Sequence, residues 1–259
     1  MANDFSGDAN LQSLYTIEDY LGGADGLDDT SGKGNNLGKT GSPELEETLV
    51  KEGVKAVESV DTSSAFVIAD ASLSANFPGK NGTSNNVFSL CFWARPTAIA
   101  TYNYVVTKWN SITSQRSFAV ILDDSGANPY WSLYIGYNGG ASSEAFKLTG
   151  CAVGVNKWYH VAMTYDGATK AWHIRVWDED ASTVYDGSGT GAQTLNIEAV
   201  LFAVMGRGDS GGYFTGVMDE VVIFNDILTS DEIDEIRNQT FGGGGGGGGD
   251  GAIMFGSDF

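Results

Sequence analysis

From residue 86 onward the chain alternates apolar and polar residues in short runs, the period of β-strands. Val87-Phe88-Ser89-Leu90-Cys91-Phe92-Trp93-Ala94-Arg95-Pro96 sets Phe88, Leu90 and Phe92 against Ser89, Cys91 and Trp93, and its proline stops the ladder. The same pattern predicts strands over Tyr102–Lys108, Ser117–Leu122, Trp131–Tyr137 and Ala145–Leu148, each bounded by Gly, Asn, Asp or Ser. Lys157–Gly167 runs through an Asp166-Gly167 turn into Ala171–Trp177, a hairpin signal. Gly212–Asn225 reads as a long strand with apolar residues on both parities, Val217, Val221 and Ile223 against Met218, Val222 and Phe224, as a strand inside a two-layer sandwich requires. Thr229, with Glu232 three residues on, predicts a capped helix ending near Gln239.

The first third is less regular. Residues 8–20 predict one turn capped by Asp8 and then a strand alternating through Leu14, Thr16 and Glu18. Residues 42–62 carry many charges and few large apolar side chains, which predicts an exposed excursion before Ala65-Phe66-Val67-Ile68 resumes a strand. Many strands without intervening helices, and no internal repeat, predict an all-β chain: an antiparallel two-sheet β-sandwich of the jelly-roll type over residues 1–241. Eight glycines follow at 242–249, a tether by composition, and then the apolar terminal peptide 250–259.

Composition narrows the function. With 14 Lys and Arg against 33 Asp and Glu the formal charge is −19, which disfavours nucleic acid and anionic membranes as partners. The two cysteines, Cys91 and Cys151, are too few for a disulfide framework or a zinc site and read as small buried apolar residues, although pairing stays open. The N-terminus has no basic cluster followed by an apolar run, so no secretory signal is expected, and no stretch is apolar enough to span a bilayer.

Three segments carry a family resemblance: Asp29-Thr30-Ser31-Gly32-Lys33-Gly34-Asn35, Trp158-Tyr159-His160-Val161-Ala162-Met163-Thr164-Tyr165-Asp166-Gly167, and Gly216-Val217-Met218-Asp219-Glu220 with the capped helix behind it. In this order they resemble LamG-like jelly rolls of the concanavalin A-like lectin and glucanase superfamily. The resemblance implies a Ca²⁺ that clasps the two chain ends, with Asp29 and Asp219 as ligands and Asn35, the Gly34 carbonyl and Glu18 as further oxygens. Without calcium, Asp219 and Asp29 read as turn residues. Glu220 is expected to point elsewhere, toward Arg207 or Lys157.

The superfamily also contains glucanases, but their paired-carboxylate run is missing. Asp178-Glu179-Asp180 falls at an expected hairpin tip, and His160 and His173 stand among aromatics without a serine or cysteine motif. A non-catalytic module is therefore expected. Carbohydrate binding needs only aromatic platforms and hydroxyl-binding side chains. The strip Tyr102, Tyr104, Trp109, Tyr130, Trp131, Tyr134 and Tyr137 supplies the rings; Trp109, Tyr130 and Tyr137 are the ones expected to be exposed, the others core.

Arg207-Gly208-Asp209 spells an adhesive tripeptide but stands among glycines, as a turn would. An acidic, leaderless domain of this kind with a tethered apolar peptide resembles phage proteins displayed on the virion. Cell-surface glycans are then the expected outward partner. Ile253, Met254, Phe255 and Phe259 would anchor the chain to other virion proteins or to sister subunits. The alternatives are a carbohydrate-binding module exported by a C-terminal signal and, from another class, a polysaccharide hydrolase or lyase.

Overall fold

In the computed structural model, residues 3–22, 25–61, 63–124, 128–207, 209 and 211–242 are described. Ile253, Met254, Phe255 and Phe259, the expected anchor, lie outside them.

Two antiparallel sheets make the sandwich. One contains β1 (Leu11–Tyr15), β3 (Glu44–Glu46), β4 (Ala56–Ser59), β6 (Val87–Pro96), β11 (Tyr159–Asp166), β12 (Ala171–Asp178), β13 (Thr183–Thr190) and β15 (Gly216–Phe224). The other contains β2 (Gly38–Thr40), β5 (Ala65–Ile68), β7 (Tyr102–Asn110), β8 (Gln115–Asp123), β9 (Tyr130–Tyr137), β10 (Ser142–Leu148) and β14 (Phe202–Val204). The first runs β13-β12-β11-β6-β15-β4-β3 with β1 also on β15; the second runs β10-β9-β8-β7-β14-β5-β2. Aromatic rings join the layers: Phe88 of β6 stacks on Phe118 of β8 at 4.7 Å, and Phe92 meets the edge of Trp131 of β9 at 5.9 Å.

Helix α1 (Ser230–Arg237) has the expected capping box, with Glu232 N–H donating to the Thr229 hydroxyl at 3.3 Å and Thr229 N–H donating to the Glu232 carboxylate at 2.8 Å. It lays Ile233 and Ile236 against Phe224, Phe5 and Phe241, covering part of the outer face of the eight-stranded sheet. This explains why β15 is apolar on both sides, but not with the parity its sequence suggests. Met218, Val221 and Ile223 face the inter-sheet core, whereas Val222 and Phe224 face α1. A bulge between Asp219 and Val222, with Glu220 at φ 46°, shifts the alternation by one.

The charged stretch 42–62, described as far as residue 61, is exposed in part, as at Val54 and Val60, but it is also built into the sandwich. It contributes β3 and β4, buries Ala56 and Val57, and turns Glu52 inward. Its few apolar residues suffice because a three- or four-residue strand needs only one or two inward side chains. Both cysteines are buried and free, in separate clusters.

Candidate functional site: an aromatic groove on the outer face of the seven-stranded sheet

Strands β7, β8 and β9 carry a second aromatic cluster on the face turned away from the core, made of Tyr104, Trp109, Ala119 and Ile121 with Tyr134 against them. In a regular strand Tyr104 and Trp109, five residues apart, would point to opposite faces. Val105 is an extra residue in β7 between the pairs Tyr104–Ile121 and Val106–Val120, so both rings emerge on one side. A second shift, in which Ser117 is the extra residue of β8, brings Arg116 to the same face opposite Trp109.

Above this cluster a groove of about 480 Å³ opens between Tyr102, Tyr104, Trp109, Arg116, Tyr134 and Tyr137. Ser111, Ser142 and Ser143 also line it. The rings are fixed by packing: Trp109 and Tyr134 meet edge to face at 6.3 Å, and the Arg207 guanidinium lies over Tyr104 at 4.6 Å. Burial pushes the Tyr104 and Tyr134 hydroxyls upward in pKa, so both remain neutral donors at physiological pH. The Tyr134 and Tyr130 hydroxyls reach Asp123 at 3.3 and 3.4 Å, and Lys147 donates to Tyr130 at 3.0 Å.

Backbone contacts hold the rims. Arg116 Nη1 donates to the Gly140 and Ala141 carbonyls at 3.1 and 2.6 Å, and Nη2 to Ser111 at 3.3 Å, tying the β7–β8 turn to the β9–β10 turn. Asp209 accepts from Ser111 N–H (2.9 Å), Ser111 Oγ (3.0 Å) and Ile112 N–H (3.2 Å), and pairs with Arg207. Arg207 and Asp209 of the apparent adhesive tripeptide are thus spent on each other and on the groove rim. Gly212, at φ +72°, has no alternative: a Cβ there would come 2.5 Å from Tyr104 Cδ2.

Of the three rings expected to be exposed, only Tyr137 lines the groove as a partly exposed ring. Trp109 lines the groove but is only 3% exposed; Tyr130, at 9%, is held beneath Lys147 and does not line it. Tyr102, assigned to the core from sequence, is 46% exposed. Bulges decide these positions, and a hydropathy pattern carries no mark of them. Arg116 and the serines were not singled out either. One signal was present: residues 97–143 contain only two carboxylates, Asp123 and Asp124, in a chain with 33.

The expected calcium ligands fall into two networks. Asp29 accepts from the N–H groups of Leu14 (3.0 Å), Ser31 (3.0 Å) and Asn35 (2.8 Å), and Asn35 bonds Gln12, Ser13 and Ser74, closing the 29–36 loop onto β1. Asp219 accepts from Lys51 and Glu52 N–H at 2.9 and 3.0 Å and from Glu220 N–H at 2.9 Å, while Glu18 accepts from Val54 and Lys55 N–H at 2.9 and 3.2 Å. Asp219 and Glu18 therefore grip the 51–55 loop, and Asp29 and Asn35 grip another. A cation shared by Asp29 and Asp219 would have to compete with these amides. Among the described residues no group of three or more His, Cys, Asp or Glu side chains is placed to hold a metal ion.

Glu220 turns toward neither Arg207, which pairs with Asp209, nor Lys157, which pairs with Asp180 at 3.7 Å. Burial, then Glu52, Asp219 and Glu18, raise its pKa to about 9. Burial likewise lifts Glu52, which accepts from Trp93 Nε1 at 3.2 Å, to about 7. His160 is buried against Trp93 and held neutral, with desolvation lowering its pKa to about 3. His173 bonds Asp186 at 2.8 Å, and Asp178 caps its hairpin through Ala181 N–H at 3.0 Å.

Comparison with known proteins agrees with this architecture. The laminin G-type family described as the concanavalin A-like lectin/glucanases superfamily matches residues 69–234. No curated protein sequence matches the chain. Among solved structures, domain 4 of a GH43 extracellular arabinanase from Geobacillus stearothermophilus, in complex with arabinotriose, superposes with a TM-score of 0.61 at 16% identity, covering 89% of this chain and 98% of that one. The binding domain of botulinum neurotoxin DC, in complex with rat synaptotagmin II, gives 0.62 at 13% identity over 91% of this chain; the chain spans 52% of that domain's length. The enzymatically active domain of tailspike protein 2 from bacteriophage CBA120 gives 0.54 at 14% identity, over 77% of this chain and 30% of that one.

Proposed function

Because the chain belongs to the concanavalin A-like lectin/glucanases superfamily, and its seven-stranded sheet carries an aromatic groove on its outer face, we propose that it is a non-catalytic, lectin-like module whose groove binds saccharides. The observation that carries this reading is the groove itself: phenol surfaces for the apolar faces of sugar rings, with serine, tyrosine and arginine residues in its lining for hydroxyls. A fold of the same architecture, whole in the arabinanase domain, is there found with arabinotriose. Glycoside hydrolysis calls for a pair of carboxyl groups flanking the scissile bond, and no carboxylate is among the described residues that line the groove.

Isothermal titration against a panel of neutral and acidic oligosaccharides tests the proposal. Replacing Tyr102 or Tyr137 by alanine removes a groove ring without opening the inter-sheet core, and each is expected to weaken binding about fivefold, the equivalent of ~1 kcal/mol. Val54→Ala, on an exposed loop residue outside the groove, leaves affinity unchanged. Binding that survives loss of both rings sinks the proposal.

The finer part of our reading is display on a virion, with the sandwich facing glycans of the host surface. Its support is the −19 charge, the glycine run at 242–249 and the apolar peptide behind it. A chain lacking residues 242–259 that still joined its particle would refute the anchoring role.

A further inference from the structure

Arg116 is the one cation among the described residues that line the groove, and among those residues it takes part in no ion pair. Its guanidinium lies over the Trp109 ring at 5.7 Å and donates to three peptide carbonyls, those of Ser111, Gly140 and Ala141. Those bonds use three of its five N–H groups. Nε–H and one Nη2–H have no protein acceptor among the described residues. In a chain of 33 acids and 14 bases, an arginine left without a carboxylate, beside a groove whose described lining contains none, is a departure from the surrounding charge. The Arg207 charge at the far side of Tyr104 is already neutralised by Asp209, so Arg116 is the groove's open positive centre.

We infer that the groove selects saccharides bearing a carboxylate, uronic-acid oligosaccharides as a class, with the sugar carboxylate received by Arg116 and the ring faces lying on Tyr137 and Tyr104. The inference rests on the glycan-binding reading above. A planar guanidinium with free N–H groups is matched to a carboxylate, and charge-assisted bonds of this kind are about twice as strong as neutral ones. The chain's overall negative charge opposes acidic ligands at long range but is screened at moderate salt. Discrimination therefore falls to the local, partly desolvated contact at Arg116. Its bonds to both rims also fix the guanidinium in place before any ligand arrives, so little side-chain freedom is lost on binding.

The test uses the full chain and oligogalacturonate, oligoalginate and oligohyaluronate, each titrated beside its own carboxyl-reduced derivative. At least one acidic member is expected to bind about tenfold tighter than its reduced counterpart, with the preference shrinking between about 0.05 and 0.5 M salt. Arg116→Gln should erase the preference while leaving affinity for the reduced form, and Arg116→Lys should restore part of it. Equal affinity for acidic and reduced members overturns the inference and leaves the glycan-binding reading standing. A preference that persists in folded Arg116→Gln overturns it too. If Arg116→Gln does not fold, because it unties the two rims, the comparison in the unaltered chain decides. Failure of every member of both sets to bind overturns the glycan-binding reading and this inference with it.

Discussion

Replacing Asp219 by alanine tests the 51–55 clasp. Asp219 is fully buried at the bulge of β15, where β4 pairing gives way to β1 pairing on the same side of the strand. Its Oδ2 takes the N–H groups of Lys51 and Glu52, and its Oδ1 that of Glu220. Alanine leaves these three donors without the carboxylate they bond. A buried donor stripped of its acceptor costs about 1–3 kcal/mol, and some of this loss is offset because a buried carboxylate no longer has to be desolvated, so a net destabilisation of roughly 3 kcal/mol is expected. For a chain of this size that lowers Tm by about 6–12 °C. Asparagine keeps one acceptor oxygen and should cost less than half as much. Urea unfolding followed by tryptophan fluorescence, with Glu52 beside Trp93 as a local reporter, measures both variants. If Asp219→Ala stays within about 0.5 kcal/mol of the parent chain, the amides of the 51–52 loop find other partners and the clasp is not what holds β15 to that loop. Because amides already occupy these oxygens, calcium or a chelator is expected to leave Tm unchanged; a rise with calcium that Asp219→Ala abolishes would show a cation there instead.

Other expectations follow from the same cluster and from the groove. Glu52 and Glu220 hold their protons to about pH 7 and 9, above the ordinary value of 4.5, so the folded chain binds more protons than the unfolded one across this window and stability falls as pH rises. For Glu52 alone the shift corresponds to roughly 3 kcal/mol between pH 4.5 and 8; unfolding midpoints at pH 5, 7 and 9 that rise or stay level contradict it, and Glu220→Gln should flatten the curve. His160, held neutral by burial, should show no imidazole titration between about pH 7.5 and 5 by proton NMR. Gly212→Ala places a methyl against Tyr104 in a left-handed backbone, and should cost about 2 kcal/mol together with any saccharide affinity.

The fold was largely legible because its strands obey simple alternation: β6, β9, β11 and β12 lie within one or two residues of where the apolar positions put them, and Thr229 and Glu232 announced α1. What escaped was set by departures from alternation. The Val105 and Ser117 bulges put Tyr104, Trp109 and Arg116 on one face, and the Glu220 bulge reversed the sidedness of β15; each depends on pairing with a distant strand, which local pattern does not encode. The 42–62 stretch misled because charge density speaks of exposure, while Asp219 and Glu18 accept that loop's backbone amides irrespective of its side chains. The aromatic strip at 102–137 was visible as a strip, but which rings line the groove was not.

The most direct test of the central claim is amide chemical-shift mapping on the full chain, titrated with the tightest-binding oligosaccharide of the panel. Saturable shifts concentrated at 102–104, 111–116 and 134–143 are the predicted result. Shifts concentrated instead around 51–55 and 219–220, or over the outer face of the eight-stranded sheet, would contradict it.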